Sequence, residues 1–146
     1  MSLIQLIYVS DLVDATSEGD MSHHLLASIL KQSAEHNTRD RITGMLLFSS
    51  GNFMQLLEGE PESVARLFER IQADPRHRNL IVVMNEPVTE RQFAGWRMGW
   101  RHITPADALR LPELAPWFEF GFNRDAIRAQ PGMALDLLRN FSQTMR

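Results

Sequence analysis

Apolar residues gather along the chain in short runs separated by polar stretches, and five of these runs have the length and composition of β-strands. The stretch Leu3–Ser10 has apolar residues on both alternating sets of positions, which is typical of a strand covered on both faces. Two later runs are separated only by Ser50 and Gly51, which predicts a β-hairpin. The predicted strands are Leu3–Ser10, Ile42–Ser49, Asn52–Glu58, Leu80–Met84 and Trp96–Trp100.

Two segments carry apolar residues at intervals of three and four positions, as helices that pack one face on a sheet do. The first covers residues 23–36, and its apolar stripe includes Ile29. The second begins at Pro61, a residue that the first turn of a helix tolerates, and ends before Asp74. Similar spacing predicts a further helix near the end of the chain, over residues 133–145.

The predicted order is strand, helix, strand, strand, helix, strand, followed by one extra strand. A split strand-helix-strand unit that occurs twice is the ferredoxin-like α+β arrangement, in which two helices cover one face of a mixed sheet. After Ile103, repeated prolines break the chain into short segments. We therefore expect one compact unit, in which residues 1–103 form the domain and residues 104–146 form a helical extension on the other face of the sheet.

The composition narrows the classes of function. The absence of cysteine excludes disulfides, thiolate metal ligands and cysteine nucleophiles, and the five histidines form no recognisable set of metal ligands. A net charge of -3 provides no field that attracts nucleic acid or an anionic membrane. No apolar run approaches the roughly 20 residues of a membrane helix, and the first residues do not resemble a signal peptide. We expect a cytoplasmic protein that binds neither nucleic acid nor a membrane.

Tyr8 and Gln55 are the residues whose chemistry is most distinctive. Tyr8 is the only tyrosine, and a single tyrosine in a strand usually belongs to the core, with its hydroxyl satisfied at an edge. Gln55 is an amide between Met54 and Leu56, and an unsatisfied buried amide costs about 1–3 kcal/mol, although a backbone partner could satisfy it. A site that both side chains share would instead indicate chemistry.

Other candidate residues have ordinary structural interpretations as well as functional ones. Asn37, at the end of the first helix, is a common cap or turn residue. Arg70 and Arg76, near the end of the second helix, are either solvated surface or ligands of a phosphate group. Trp96 and Met98 are of types that more often belong to a core than to a cofactor site.

Five segments, taken in order, resemble the BLUF domain, a blue-light sensor that uses flavin, and the resemblance covers roughly residues 3–103. Each segment alone would be weak evidence, but their order makes the match specific. The segments are Leu6–Ser10, His36–Asn37 with Ile42–Leu46, Gly51–Gly59, Arg70–His77 and Arg91–Met98.

The resemblance implies a non-covalent flavin between the two helices, with FAD preferred and FMN as the alternative. It gives Tyr8 the role of photochemical electron donor and Gln55 that of the amide that switches between Tyr8 and the flavin. Trp96 and Met98 match the residues that relay the change to the last strand. The residues that the resemblance places at the cofactor are Tyr8, Ile29, His36, Asn37, Gln55, Arg70, Ile71, Asp74 and Arg76.

The resemblance also implies a light-operated switch and not an enzyme. An electron and a proton leave Tyr8 and return, the hydrogen bonds of Gln55 are rearranged, and the flavin absorption moves to the red. Because no output domain is recognisable, a separate output protein is implied, such as a response regulator or a cyclic-dinucleotide enzyme, together with a homo-oligomer. The alternative is a ferredoxin-like regulatory domain that binds a small molecule without photochemistry. A small hydrolase has no recognisable nucleophile and base in this sequence.

Overall fold

Among the residues that it describes, a computed structural model of the chain contains five strands and one helix with defined bounds. The described residues are 3–12, 35, 41–49, 52–74, 77–93, 99–102, 132, 135 and 138. In chain order, the elements are β1 (Leu3–Leu12), β2 (Thr43–Ser49), β3 (Asn52–Gly59), α1 (Pro61–Ala73), β4 (His77–Val88) and β5 (Gly99–His102).

The strands form a single sheet in the order β4-β1-β3-β2-β5. Strand β1 pairs antiparallel with both β3 and β4, and β2 pairs antiparallel with β3. Strand β5 lies at the opposite edge and pairs parallel with β2. The predicted α+β class is therefore confirmed for an antiparallel four-stranded sheet with a helix.

Helix α1 begins where its sequence permits and packs its apolar stripe on the sheet. Pro61 occupies the start of the helix, where its missing N–H costs nothing, and Glu62 in the first turn complements the positive end of the helix dipole. The resulting core lies between α1 and one face of the sheet. It consists of Leu6, Tyr8, Ile42, Leu57, Val64 and Leu67, with Ile4, Phe68, Ile71 and Leu80 packed against it.

The other face of the sheet is buried as well. Ile7 and Val9 alternate along β1 with the residues that face α1, and both are buried, as are Met54 and Leu56 on β3. This agrees with the apolar residues on both alternating sets of the first strand. Leu138 is helical and fully buried, but the placement of the extension that contains it stays a prediction.

Strand β4 is longer than the pattern predicts. It covers His77–Val88, although only residues 80–84 form an apolar run, and it continues through Pro87. Proline cannot donate a ladder hydrogen bond, but β4 is an edge strand, where such a donor is not needed on the outer side. Strand β5 begins at Gly99, and residues 94–98 lie outside the described ranges.

Candidate functional site

Tyr8 and Gln55 lie directly opposite each other on the β1–β3 ladder. The Tyr8 hydroxyl donates a hydrogen bond to the side-chain oxygen Oε1 of Gln55. Tyr8 is 1% exposed and Gln55 is 3% exposed, so the bond is removed from water. The two candidates therefore occupy one buried polar site on the face of the sheet that α1 covers.

Apolar side chains from the last two turns of α1, Phe68 and Ile71, pack against the cluster that contains Tyr8. The ring of Phe68 lies 5.7 Å from the ring of Tyr8, centroid to centroid, at an angle of 55°. This tilted arrangement is favourable for two aromatic quadrupoles. The phenol is thus held by packing on its ring and by a hydrogen bond at its oxygen.

Electrostatics keep Tyr8 in its neutral form. Burial, and secondly the negative charge of Asp74, raise the pKa of Tyr8 above its ordinary value of 10.0. Asp74 directly follows α1, and its backbone N–H donates to the carbonyl oxygen of Ile71 at 3.1 Å. A neutral phenol can donate both a proton and an electron, whereas a phenolate has already lost the proton.

The structure describes five of the predicted cofactor-site residues. Tyr8, Gln55, Ile71 and Asp74 come together around the β1–β3 ladder and the end of α1. Arg70 lies in the last turn of the same helix with an exposed side chain. Outside the described residues lie the other predicted site and relay residues: Ile29, His36, Asn37, Arg76, Trp96 and Met98.

Sequence reasoning missed a second polar site around Glu58. The third predicted strand ends at Glu58, and the pattern assigned its side chain no role, but Glu58 is fully buried. Its carboxylate accepts a hydrogen bond from Gln5, its partner on the β1–β3 ladder. The available signal was the alternation of β3, which places Glu58 on the same face as Met54 and Leu56.

The described part of the chain contains no group of three or more His, Asp or Glu side chains that could hold a metal ion. Among the helices within the described ranges, none combines the length and apolar character needed to span a membrane.

Comparison with known families identifies the group to which the sequence belongs. The family model described as BLUF, sensors of blue-light using FAD, matches residues 3–99. The chain belongs to the BLUF family. The match contains β1 to β4 and α1, and therefore includes Tyr8, Gln55 and Glu58.

The curated relatives of this BLUF chain are much longer than the chain itself. The photoactivated adenylate cyclase subunit beta of Euglena longa is 34% identical over 102 residues, which cover 70% of this chain and 12% of that protein. The chain thus spans about an eighth of the length of this curated relative.

Solved structures of BLUF proteins share the fold of this chain. The dark-state structure of BlrB, a BLUF protein, aligns with a TM-score of 0.74 at 28% identity, covering 98% of this chain and 97% of that one. The structure of Klebsiella pneumoniae BlrP1 with FMN and cyclic diGMP aligns with a TM-score of 0.63 at 29% identity, covering 89% of this chain and 35% of that one.

Proposed function

We propose that this BLUF chain is a blue-light photoreceptor in which Tyr8 and Gln55 form the switch beside a non-covalent flavin. The observation that carries the proposal is the buried hydrogen bond from the Tyr8 hydroxyl to the Gln55 amide. It joins the only tyrosine of the chain to an amide, which can accept at its oxygen and donate at its nitrogen.

The side chains around this hydrogen bond fit a flavin. A flavin ring has broad apolar faces and a polar edge with hydrogen-bonding groups. Ile71 offers an aliphatic surface and packs against the cluster that contains Tyr8. Gln55 offers an amide and accepts the hydrogen bond of Tyr8. Arg70 suits the ribityl or phosphate side. Among the residues outside the described ranges, we propose that Ile29, His36, Asn37 and Arg76 complete the site.

A bound flavin that absorbs blue light becomes an oxidant strong enough to take an electron from a neighbouring phenol. Tyr8 would give one electron to this oxidant and release its proton along the hydrogen bond to Gln55, and both would then return, so that Tyr8 ends as a neutral phenol. Gln55 is left in another rotamer or tautomer with changed hydrogen bonds. The net change is confined to Gln55 and its hydrogen bonds, and the new state decays thermally in the dark. The raised pKa of Tyr8 supports this role, because it keeps the proton on the phenol until the electron leaves.

The rearrangement at Gln55 must then reach an output. We propose that Trp96 and Met98 relay the rearrangement to the fifth strand. We also propose that two helices cover one face of the sheet and that residues 104–146 form a helical extension on the other face. A separate protein is the proposed receiver, such as a response regulator or a cyclic-dinucleotide enzyme, and the chain forms a homo-oligomer. Support comes from the relatives, one of which is named a photoactivated adenylate cyclase and another of which was solved with cyclic diGMP.

An absorption spectrum before and after blue illumination tests the proposal. The expected result is a flavin spectrum that moves reversibly to the red and recovers in the dark. A flavin that only bleaches would contradict the Tyr8 and Gln55 switch. A colourless protein that takes up neither FAD nor FMN would favour the regulatory-domain alternative. Releasing the cofactor by denaturation and identifying it by mass spectrometry distinguishes FAD from FMN.

A further inference from the structure

The carboxylate of Glu58 is a centre of hydrogen bonding on the sheet face opposite Tyr8 and Gln55. Its oxygen Oε2 accepts from Nε2 of Gln5 at 3.0 Å and from the backbone N–H of Gln92 at 2.7 Å. Its oxygen Oε1 accepts from the hydroxyl of Thr43 at 3.3 Å and from the backbone N–H of Phe93 at 2.9 Å.

These donors come from three different parts of the fold. Gln5 belongs to β1, Thr43 to β2, and Gln92 and Phe93 to the segment that follows β4. Burying a carboxylate is unfavourable unless several hydrogen bonds replace water, and two donors on each oxygen do so here. Glu58 is therefore suited to attach the segment after β4 to the middle of the sheet.

Arg91, in the segment after β4, adds hydrogen bonds that attach this segment to β2, to β3 and to Arg41. Its guanidinium donates to the Thr43 hydroxyl at 2.9 Å, to the backbone carbonyl of Glu58 at 2.9 Å and to that of Arg41 at 2.7 Å. Arg41 has a φ of 56°, a left-handed conformation that a non-glycine residue adopts at some cost. Phe93 is buried, so residues 91–93 are held by both hydrogen bonds and packing.

The attachment is on the same ladder as the proposed switch. Gln5 pairs with Glu58 and Tyr8 pairs with Gln55, so two side-chain hydrogen bonds join β1 to β3 three residue pairs apart. That separation is about 10 Å along the strand. A change in the hydrogen bond between Tyr8 and Gln55 alters how β1 and β3 are held together. Glu58 is placed to respond to such a change, because its oxygen Oε2 accepts hydrogen bonds both from Gln5 of β1 and from the backbone N–H of Gln92.

We propose that Glu58 is a positioning residue of the photoreceptor. Its carboxylate attaches Gln92 and Phe93 to β3, and through this attachment the rearrangement at Gln55 reaches the residues that follow Phe93. The inference rests on the proposed function for its light-dependent part. It predicts that light changes the protection of the backbone N–H groups of Gln92 and Phe93, and that the change requires the carboxylate of Glu58.

Hydrogen–deuterium exchange on the flavin-loaded chain, in the dark and under blue light, tests this inference. Glu58→Gln keeps the size of the side chain but replaces one accepting oxygen with an NH₂ group. In this variant, the NH₂ group replaces the acceptor of one of the two backbone N–H groups, that of Gln92 or that of Phe93. We expect that amide to exchange about tenfold faster in the dark. We also expect the light-minus-dark difference at these amides to disappear while the red shift remains. Glu69→Gln, at an exposed position of α1, is the matched control and should match the wild type.

Two exchange results would overturn the inference: a wild-type chain whose Gln92 and Phe93 amides do not respond to light, or a Glu58→Gln variant that keeps the wild-type response. If Glu58→Gln does not fold, Gln5→Met removes the donor from β1 but leaves both backbone N–H groups their acceptor. That variant should keep dark protection and lose most of the light response, and an unchanged response would refute the coupling. The absorption spectrum tests the proposed function independently, because a wild-type chain without a red shift would refute that function. Exchange in the dark would still show whether Glu58 holds residues 92 and 93.

Discussion

The Tyr8 hydroxyl donates to Oε1 of Gln55 across a pair of strands whose register places the two residues directly opposite each other. Cross-strand partners point to the same face of a sheet, and in this sheet that face packs on α1. The bond therefore joins β1 to β3 inside the core, where water does not compete for either group.

Replacement of Tyr8 by phenylalanine should abolish the red shift and leave flavin binding intact. The change removes the hydroxyl that donates to Gln55 but keeps the ring that packs against Phe68. Absorption spectra of the illuminated variant provide the measurement. The control is Phe68→Leu, which changes the neighbouring ring and leaves the hydroxyl in place, so its red shift should persist. A normal shift in Tyr8→Phe would refute the donor role.

A double-mutant cycle with Tyr8→Phe and Gln55→Leu should reveal a coupling of about 0.5–1.5 kcal/mol in the free energy of unfolding, the usual net value of one hydrogen bond. The physical reason is that either single change removes the same bond. Urea unfolding in the dark, with all four proteins at one flavin concentration, gives the energies. Additive effects of the two changes would mean that the bond contributes nothing to stability. Gln55→Leu alone should also lose the red shift.

Alkaline titration should find Tyr8 un-ionised for as long as the chain is folded. Because its pKa is raised on folding, mainly by burial, the stability that the neutral phenol provides is complete below pH about 10 and is lost as the pH rises further. The free energy of unfolding should fall by about 1.4 kcal/mol per pH unit above that point. Tyrosinate absorption reports Tyr8 alone, since the chain has no other tyrosine.

One variant and the unfolded chain serve as references for this titration. Asp74→Asn should keep most of the alkaline effect, because the charge of Asp74 is the smaller cause of the raised pKa. The unfolded chain in denaturant should titrate near the ordinary value. A folded protein in which Tyr8 ionises near pH 10 would contradict the burial of the phenol.

Gly44→Ala should destabilise the protein by about 1–3 kcal/mol, as overpacking in a tight core does. A Cβ at residue 44 would lie 1.9 Å from the backbone oxygen of Leu56 on the neighbouring strand, and backbone atoms cannot move aside cheaply. Gly132→Ala is the control: it lies in helical conformation with nothing near its added Cβ, so it should be neutral or stabilising by about 0.5–1 kcal/mol. Urea unfolding compares the two, and equal effects would contradict the close approach of β2 and β3.

The strands and the helix were largely predictable because their patterns are local. Apolar residues on both alternating sets of positions predicted β1, the Ser50 and Gly51 pair predicted the hairpin, and the spacing after Pro61 predicted α1 nearly to the residue. The end of β4 was not predictable, since Pro87 is tolerated only because tertiary structure places that strand at an edge.

The pattern of residues was enough to predict the type of the described strands and helix, and it showed two distinctive polar side chains, Tyr8 and Gln55. Tertiary structure decided that they meet, because a slip of one residue between β1 and β3 would turn Gln55 to the other face. It also decided the hydrogen-bond partners of Glu58, whose donors are 15 to 53 positions away along the chain. Periodicity carries information over a few residues, whereas the partners of a buried charge depend on which distant segments the sheet brings together.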